Sequence, residues 1–336
     1  MPKKVSLYDN SFTVTGGEGD DYYKHIPDGA DITDSVLRGL RPHVAPDAVC
    51  LDVGANIGLY SLALSALAPE GRIYAFEPSP SAFSHLQENV RANGIGQVET
   101  TQVAVSDRVG TVTFHDFSFF SAGSFSSDEG SLLSTDSYGS SAFQAATTTL
   151  DTFVAERGIE RVDVIKIDVE GAELGVLEGA AEVLAKHEPI VLLEFNSFGF
   201  TIHQSVLPQV ALARLKEIFR FVFVMDRVDG SLSRLETPHE DYEFLYDNGI
   251  HGPADNLICT FTDLDVTRRY SHVWTLQRGA GSDVGLKTPS PVPLTEAEAM
   301  RRTVSWRLTA PLRTLRVRLK GVPVIDQVSS RLRKLL

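Results

Sequence analysis

Cysteine is scarce in this chain, with two in 336 residues, Cys50 and Cys259. Each lies inside an apolar run (AVCLDV, NLICTF) that reads as a strand, so the pair is expected as buried free thiols and not as a disulfide framework. Long apolar runs are missing as well. None approaches the ~20 residues of a membrane span, and MPKKVSLYDN at the start has no apolar centre of a secretion signal, so residence in the cytoplasm is the expectation. Metal-ligand spacings are absent: there is no HExxH and no CxxC, and the nine histidines are scattered, so no dedicated metal site is expected. The G-x-G-x-x-G turn that cradles a dinucleotide pyrophosphate is missing too. Basic residues are short overall, 31 Lys and Arg against 44 Asp and Glu for a net charge of −13. They are also unevenly placed. Residues 301–336 carry ten bases against one acid, Asp326, a net +9, which leaves −22 on the residues before them. Such a body repels nucleic acid, while such a tail attracts anionic surfaces.

What is present is the composition of a globular protein, 43% hydrophobic and 22% charged. From Ala48 short apolar runs alternate with helix-like stretches, the pattern of a parallel sheet covered by helices. AVCLDV, RIYAFEP, QVETTQVAV, VDVIKID, PIVLLEFN, FRFVFVMD and NLICTF supply strands. The intervening helices include IGLYSLALSALA, SAFSHLQENVRANG closing at Gly94, LDTFVAERG, a long amphipathic AELGVLEGAAEVLAKHE, and one from about Val206 to Ile218. GTVTFHDF alternates with period two and reads as a short antiparallel excursion. Between Ser118 and Ala146 serine and glycine crowd the chain, with too little periodic apolar content for an element, so a lid and a floppy insertion both stand open. The fold expected is α/β, a Rossmann-like, seven-stranded, mostly parallel sheet with helices on both faces, spanning residues 48–265. An N-terminal cap segment (1–47) precedes it, and a linker with a basic C-terminal tail (266–336) follows.

Ligands collect at the carboxyl ends of strands in such sheets. Four of those ends carry acids: Asp52, Glu77, Asp168 and Glu194. In DVGANIG, Gly54 lets backbone approach a ligand, Gly58 lets the next helix pack tightly, and the helix from about Ile57 aims its first amides at the guest. The acid two residues before Gly54 would repel a diphosphate and suits an ammonium or sulfonium group. Glu77, 25 residues after Asp52, stands where a carboxylate accepts both ribose hydroxyls. Together these describe an adenosyl ligand without a diphosphate. In VDVIKID, Lys166 and Asp168 share a strand face, and Glu170 follows in the turn.

On this pattern the chain resembles the class I S-adenosylmethionine-dependent methyltransferases, and more narrowly the FkbM family. DVGANIG, AFEPSPSAFSHLQENVRAN, VAVSD, TTTLDTF, VIKIDVEGAELGVLEGA and PIVLLEFN follow that family's run of motifs over roughly Ala48 to Asn196. The resemblance implies S-adenosyl-L-methionine as cofactor. Asp52, Val53, Gly54, Ala55, Asn56 and Gly58 would wrap its methionine part, Glu77 with Pro78 would bind its ribose, and Ala104 would lie beside its adenine. Asp168 would face the methyl-transfer site. For a hydroxyl acceptor that must lose a proton, Asp168 or Glu170 is the expected base, with Lys166 tuning it and Glu194 orienting the acceptor. A purely structural Lys166–Glu170 ion pair stands beside that reading, and His203 and His251 read first as ordinary loop histidines and only in reserve as candidates.

Leu312, Leu315, Leu319 and Val322 fall on one helical face of the tail and Arg313, Arg316 and Lys320 on another, with Trp306 upstream. Such a segment can lie on the inner face of an anionic membrane or pack on the body. SWRLTAPLR is similar to the ending of some bacterial glycosyltransferases and their companion enzymes, which favours a glycan-assembly setting. The expected function is O-methylation of a sugar hydroxyl in bacterial polysaccharide biosynthesis, with tailoring of a macrolide-like secondary metabolite as the alternative. A nicotinamide-dependent oxidoreductase and a non-catalytic membrane-docked scaffold are the readings from other classes.

Overall fold

The computed structural model describes residues 1–18, 20–116, 125–127, 141–251 and 254–271. The basic tail, with Trp306 and its amphipathic stretch, and most of the serine-rich insertion lie outside them. The first 47 residues build a small sheet and two short helices: β1 (Lys3–Leu7), β2 (Asn10–Val14), α1 (Asp21–Lys24), β3 (Ala30–Asp31) and α2 (Ser35–Leu40). β1 pairs antiparallel with β2 and parallel with β3. The Asp34 side chain caps α2 by accepting from Leu37 N at 2.9 Å.

The central domain opens with β4 (Val49–Val53), α3 (Leu59–Leu67), β5 (Arg72–Phe76), α4 (Pro80–Ala92) and β6 (Val98–Thr101). Ser79 caps α4 at Ala82 N, Pro80 occupies its first turn, and Gly94 follows its end at φ 65°, the left-handed position expected of it. A second sheet comes next: β7 (Ala104–Val105), β8 (Gly110–Asp116), β9 (Phe125–Ser127) and β10 (Ser141–Thr148), in the order β7-β10-β8-β9. The antiparallel excursion at β8 is as expected. QVETTQVAV, read as one strand, divides at Gln102 between the two sheets, and the insertion contributes β9 and the start of β10. Their serines and alanines have little apolar period because this sheet has a small core of its own, Ala104, Phe114 and Ala145.

The chain then returns through α5 (Leu150–Arg157), β11 (Val164–Ile167), α6 (Glu173–Glu178), α7 (Ala181–His187), β12 (Ile190–Asn196), α8 (Ser197–His203), α9 (Pro208–Ile218), β13 (Phe221–Met225), β14 (Leu232–Arg234), α10 (Pro238–His251) and β15 (Ala254–Thr260). The large sheet runs β14-β13-β15-β12-β11-β4-β5-β6. β12, β11, β4, β5 and β6 are mutually parallel, and β15 lies antiparallel between β12 and β13. All seven expected strands are present, and the short edge strand β14 makes eight. One face is covered by α5, α6, α7, α9 and α10 and the other by α2, α3 and α4. Cys50 and Cys259 are buried and unbridged.

The long helix expected over AELGVLEGAAEVLAKHE is two helices. At Gly179 the backbone runs so close to Ser106 that an added Cβ would meet its carbonyl oxygen at 2.1 Å. Asp151 then caps a fresh start, its two oxygens accepting from Glu182 N at 3.0 Å and Val183 N at 2.9 Å. His203 and His251, considered as loop residues, end α8 and α10. Gly179→Ala forces the Ser106 backbone aside, and we expect it to lower stability by about 1–3 kcal/mol, read as a lower urea midpoint with an unchanged slope.

Candidate active site

Sequence order in the large sheet turns back between β4 and β11, since β5 and β6 lie to one side and β11 and β12 to the other. Such a switch point opens a crevice at the strand ends. The register sets Lys166 beside Asp52 and Ile167 beside Val53, so the acids read from the sequence meet at this crevice. The turn after β4 is drawn tight: Gly54 N and Ala55 N both donate to Phe76 O, at 3.1 and 2.9 Å. Gly54 has φ 76°, and a Cβ there would strike the Asp168 carbonyl oxygen at 1.9 Å. No other residue fits that crossing. Asn56 N donates to Glu77 Oε2 and Ser79 N to Glu77 Oε1, both at 2.8 Å, which holds the Glu77 carboxylate over the turn. α3 begins at Leu59, two residues after the expected Ile57, and the neighbour of Gly58 is Leu86 of α4.

Lys166 is the hub. Only 4% exposed, its Nζ lies 3.2 Å from Asp168 Oδ2 and 3.7 Å from Asp52 Oδ1, donates to Gly54 O at 3.1 Å, and sits 4.8 Å from the centre of the Tyr60 ring. Burial works against its charge, yet Asp168 and Asp52 outweigh burial and hold the ammonium above the usual lysine range. Asp52 is wholly buried and takes the Ser61 hydroxyl at 2.6 Å. Burial raises its carboxyl, with Lys166 and Ser61 opposing. The structural pair considered for Lys166 and Glu170 is therefore replaced: the lysine's ion partners are Asp52 and Asp168, and Glu170 Oε2 instead accepts from Asn196 Nδ2 at 2.8 Å.

Asp168, Glu170 and Glu194 each bring a carboxylate oxygen within 4.8 Å of the others. Burial and the neighbouring carboxylates, Asp168 foremost, push Glu170 and Glu194 well above the usual range. Three oxygens this close are also a ligand set that a divalent cation takes, although the sequence pointed to none, and Lys166 already brings a positive charge to Asp168. Glu194 lies within β12, two residues before its end at Asn196.

Other expected positions fall differently. The Val53 side chain is in the core and its carbonyl takes Asp168 N at 3.1 Å. Ala55 packs in the opposite core, Pro78 is buried, and Ala104 packs with Phe114 and Ala145 in the second sheet. Residues not singled out from the sequence also shape the site. Glu173 is fully buried, its Oε1 accepting from Val169 N at 3.2 Å and Gly171 N at 3.0 Å, so it braces the turn that carries Glu170. His203 Nδ1 is 2.7 Å from Glu170 O, and since a carbonyl only accepts, that nitrogen carries the proton. Burial lowers the ring's pKa to about 4. Asn196 was findable, two residues beyond Glu194 on the same strand face; Glu173 and Tyr60 carried no local signal.

The description "Methyltransferase FkbM domain" belongs to the family model that matches residues 52–224, just over half the chain. The chain belongs to this family. Among its relatives, the 2-O-methyltransferase NoeI of Sinorhizobium fredii is 29% identical over 205 residues, 56% of this chain and 79% of that protein. The hexuronic acid methyltransferase AglP of Haloferax volcanii is 31% identical over 185 residues, 55% of this chain and 70% of that one. The 31-O-demethyl-FK506 methyltransferase FkbM of Streptomyces tacrolimicus is 30% identical over 192 residues, 50% and 71% of the two chains. The shared stretch contains the glycine turn and the carboxylate cluster described above. Among the described residues no helix is long and apolar enough to cross a membrane.

Burial pushes the Glu173 carboxyl up to about 7, so the folded state binds its proton more tightly than the unfolded chain does. Stability from this group is fully present below about pH 4.5, falls as pH rises, and is gone above about 7, a span worth roughly 3 kcal/mol. Glu173→Gln, which mimics the protonated form, is expected to flatten that part of the stability-versus-pH curve and to exceed the wild type at pH 8, measured by urea unfolding at each pH.

Proposed function

We propose that this chain transfers a methyl group from S-adenosyl-L-methionine to a hydroxyl, with a sugar hydroxyl in bacterial polysaccharide or glycan assembly as acceptor. The observation that carries the reading is the meeting of the glycine turn with three carboxylates at one switch point, of which Asp168 lies 3.2 Å from the buried Lys166 ammonium.

The residues fit the donor. Among the described residues no hydrogen bond reaches the buried Asn56 Oδ1, and Asp52 Oδ1 has only the Lys166 ammonium at 3.7 Å; acceptors with capacity left favour a ligand rich in N–H and O–H groups. Gly54 has no room for a side chain between the turn and Asp168. Glu77 brings a carboxylate, an acceptor-only group suited to ribose hydroxyls. Asp52, Gly54, Asn56 and Glu77 would thus hold the donor, with Gly58 shaping the turn. When bound, S-adenosylmethionine supplies an electrophilic methyl group.

The acceptor hydroxyl must give up a proton as its oxygen is methylated. Asp168 receives it, because Glu170 and Glu194 are pushed toward keeping protons of their own by burial and crowding. Lys166 fixes the Asp168 carboxylate in place. Glu194, with a proton to donate, orients the acceptor oxygen, and Asn196 holds Glu170 beside it. Positioning of this kind accounts for much of the rate in a displacement between two bound molecules. The names of NoeI and AglP support a sugar acceptor. A second reading, tailoring of a macrolide-like metabolite, is supported by the FK506-directed relative.

Calorimetry with S-adenosylhomocysteine is expected to show binding at one site per chain; folded protein giving no heat would remove the proposal. With methyl-labelled donor and a panel of sugar nucleotides, lipid-linked glycans and polyketides, label should appear on a hydroxyl. Asp168→Asn should lower turnover by ~10²-fold or more while product binding stays within a few-fold of wild type.

A further inference from the structure

The strand that carries Glu194 leads straight into α8, and the first turn of that helix is pressed against the turn that carries Glu170. Asn196 joins the two: its Oδ1 accepts from Gly199 N at 2.9 Å, capping α8, and its Nδ2 donates to Glu170 Oε2 at 2.8 Å. The backbones touch as well. An added Cβ on Gly171 would meet Gly199 C at 2.5 Å, and one on Gly199 would meet Glu170 O at 2.8 Å. From the last position of α8, His203 Nδ1 donates back to Glu170 O at 2.7 Å. Glu170 itself stands in the left-handed region at φ 54°, a costly conformation for a residue with a side chain, which these contacts hold in place.

Two phenylalanines of α8 have opposite surroundings. Phe200 is fully buried, its ring centre 5.1 Å from that of Phe195. Phe198 is 40% exposed and belongs to none of the apolar clusters of the described residues. Its ring packs on the imidazole of His203, 6.0 Å between centres and at 85°, the same imidazole that holds the Glu170 carbonyl. A perpendicular neighbour of this kind covers at most one face of a ring. Phe198 therefore stands on the rim of the crevice, tied through His203 to the turn that bears one of its carboxylates.

A single exposed phenylalanine on a protein surface is ordinary. What sets this one apart is the company of groups that take hydroxyls. A pyranose has a divided surface: hydroxyls project around its edge, while the C–H bonds on its faces are apolar and slightly positive. Carboxyl groups suit the edge, and the negative face of an aromatic ring suits the C–H bonds. An open phenyl ring beside clustered carboxyls matches both parts at once.

We propose that Phe198 is the platform for the acceptor: a pyranose lies with one C–H face on the phenyl ring and turns its hydroxyl edge toward Glu170, Glu194 and Asp168. This deepens the sugar-acceptor reading given above and rests on it. His203 is a positioning residue here, since it fixes the Phe198 ring on one side and the Glu170 turn on the other. An axial hydroxyl on the stacked face lifts the sugar off the ring, so Phe198 selects among epimers.

Saturation-transfer NMR tests the platform without turnover. Full-length protein saturated with S-adenosylhomocysteine is mixed with methyl pyranosides of gluco, galacto, manno and glucurono configuration, and the protein's aromatic protons are irradiated. Transfer is expected onto the C–H protons of one face of a pyranoside, lost in Phe198→Leu and kept in Phe198→Trp. Because Phe198 lies outside the apolar clusters, both variants should melt with the wild type and bind S-adenosylhomocysteine as it does. With the sugar nucleotide of the labelling panel that takes most label, Phe198→Leu should raise KM about 3–10-fold at nearly unchanged kcat, the pattern of binding lost equally from ground and transition states, and Phe198→Trp should restore it. Wild-type transfer and wild-type KM in Phe198→Leu would overturn the proposal and leave sugar methylation standing, as would wild-type protein that methylates a sugar yet shows no transfer to any pyranoside. Label on polyketides alone would instead overturn the sugar reading, and this inference with it.

Discussion

One buried ammonium organises the crevice. Lys166 cannot be left alone at 4% exposure, because an unpaired charge there would cost several kcal/mol. Asp52 and Asp168 satisfy it from two adjacent strands, and Gly54 O supplies a third contact. Those demands dictate much of what surrounds it. The two strand ends must lie side by side, the turn after β4 must close over the lysine, and only glycine can occupy position 54. The same lysine faces the aromatic ring of Tyr60, so the first turn of α3 is drawn into the arrangement. Glu170 and Glu194 then crowd beside Asp168, and among the described residues neither forms an ion pair, so burial and crowding push both toward keeping their protons.

The sequence was informative where chemistry and geometry share a short period. A strand alternates every two residues, so the shared face of Lys166 and Asp168 could be read directly, and the salt bridge follows from it. Strand-end acids were readable for the same reason, as was the left-handed glycine after α4. Features set by distant segments were not. The break at Gly179 depends on Ser106 and Asp151, which lie far away along the chain. β9 and β10 were hidden because their sheet has so small a core that serine and alanine suffice. Partners of Lys166 included Asp52, 114 positions earlier, and strand register alone brings the two together. Glu173 matters through the Val169 and Gly171 amides that fold against it, which no local side-chain pattern announces.

Each of the two smaller sheets packs on an element next to the crevice. The N-terminal sheet packs on α3 beside the glycine turn. The second sheet places β9 against α8, the helix whose last residue, His203, holds the Glu170 carbonyl. His115 of β8 is close enough to bias His203 toward its neutral form. Both additions arise from segments outside the parallel strands, and both reach residues that carry the site's acids. Variation in these peripheral sheets can therefore alter what enters the crevice without disturbing the Lys166 arrangement beneath it.

β15 is last in the chain among the described strands, yet it lies between β12 and β13 and bonds to both. During synthesis on the ribosome the sheet therefore waits with a gap in it: β12 and β13 each present a row of unpaired amides and carbonyls until Thr260 has emerged. Such edges invite pairing with other nascent chains. A helper that shields them in the cell, or a premature stop that leaves them bare, would decide between a soluble product and an aggregate well before any substrate is met.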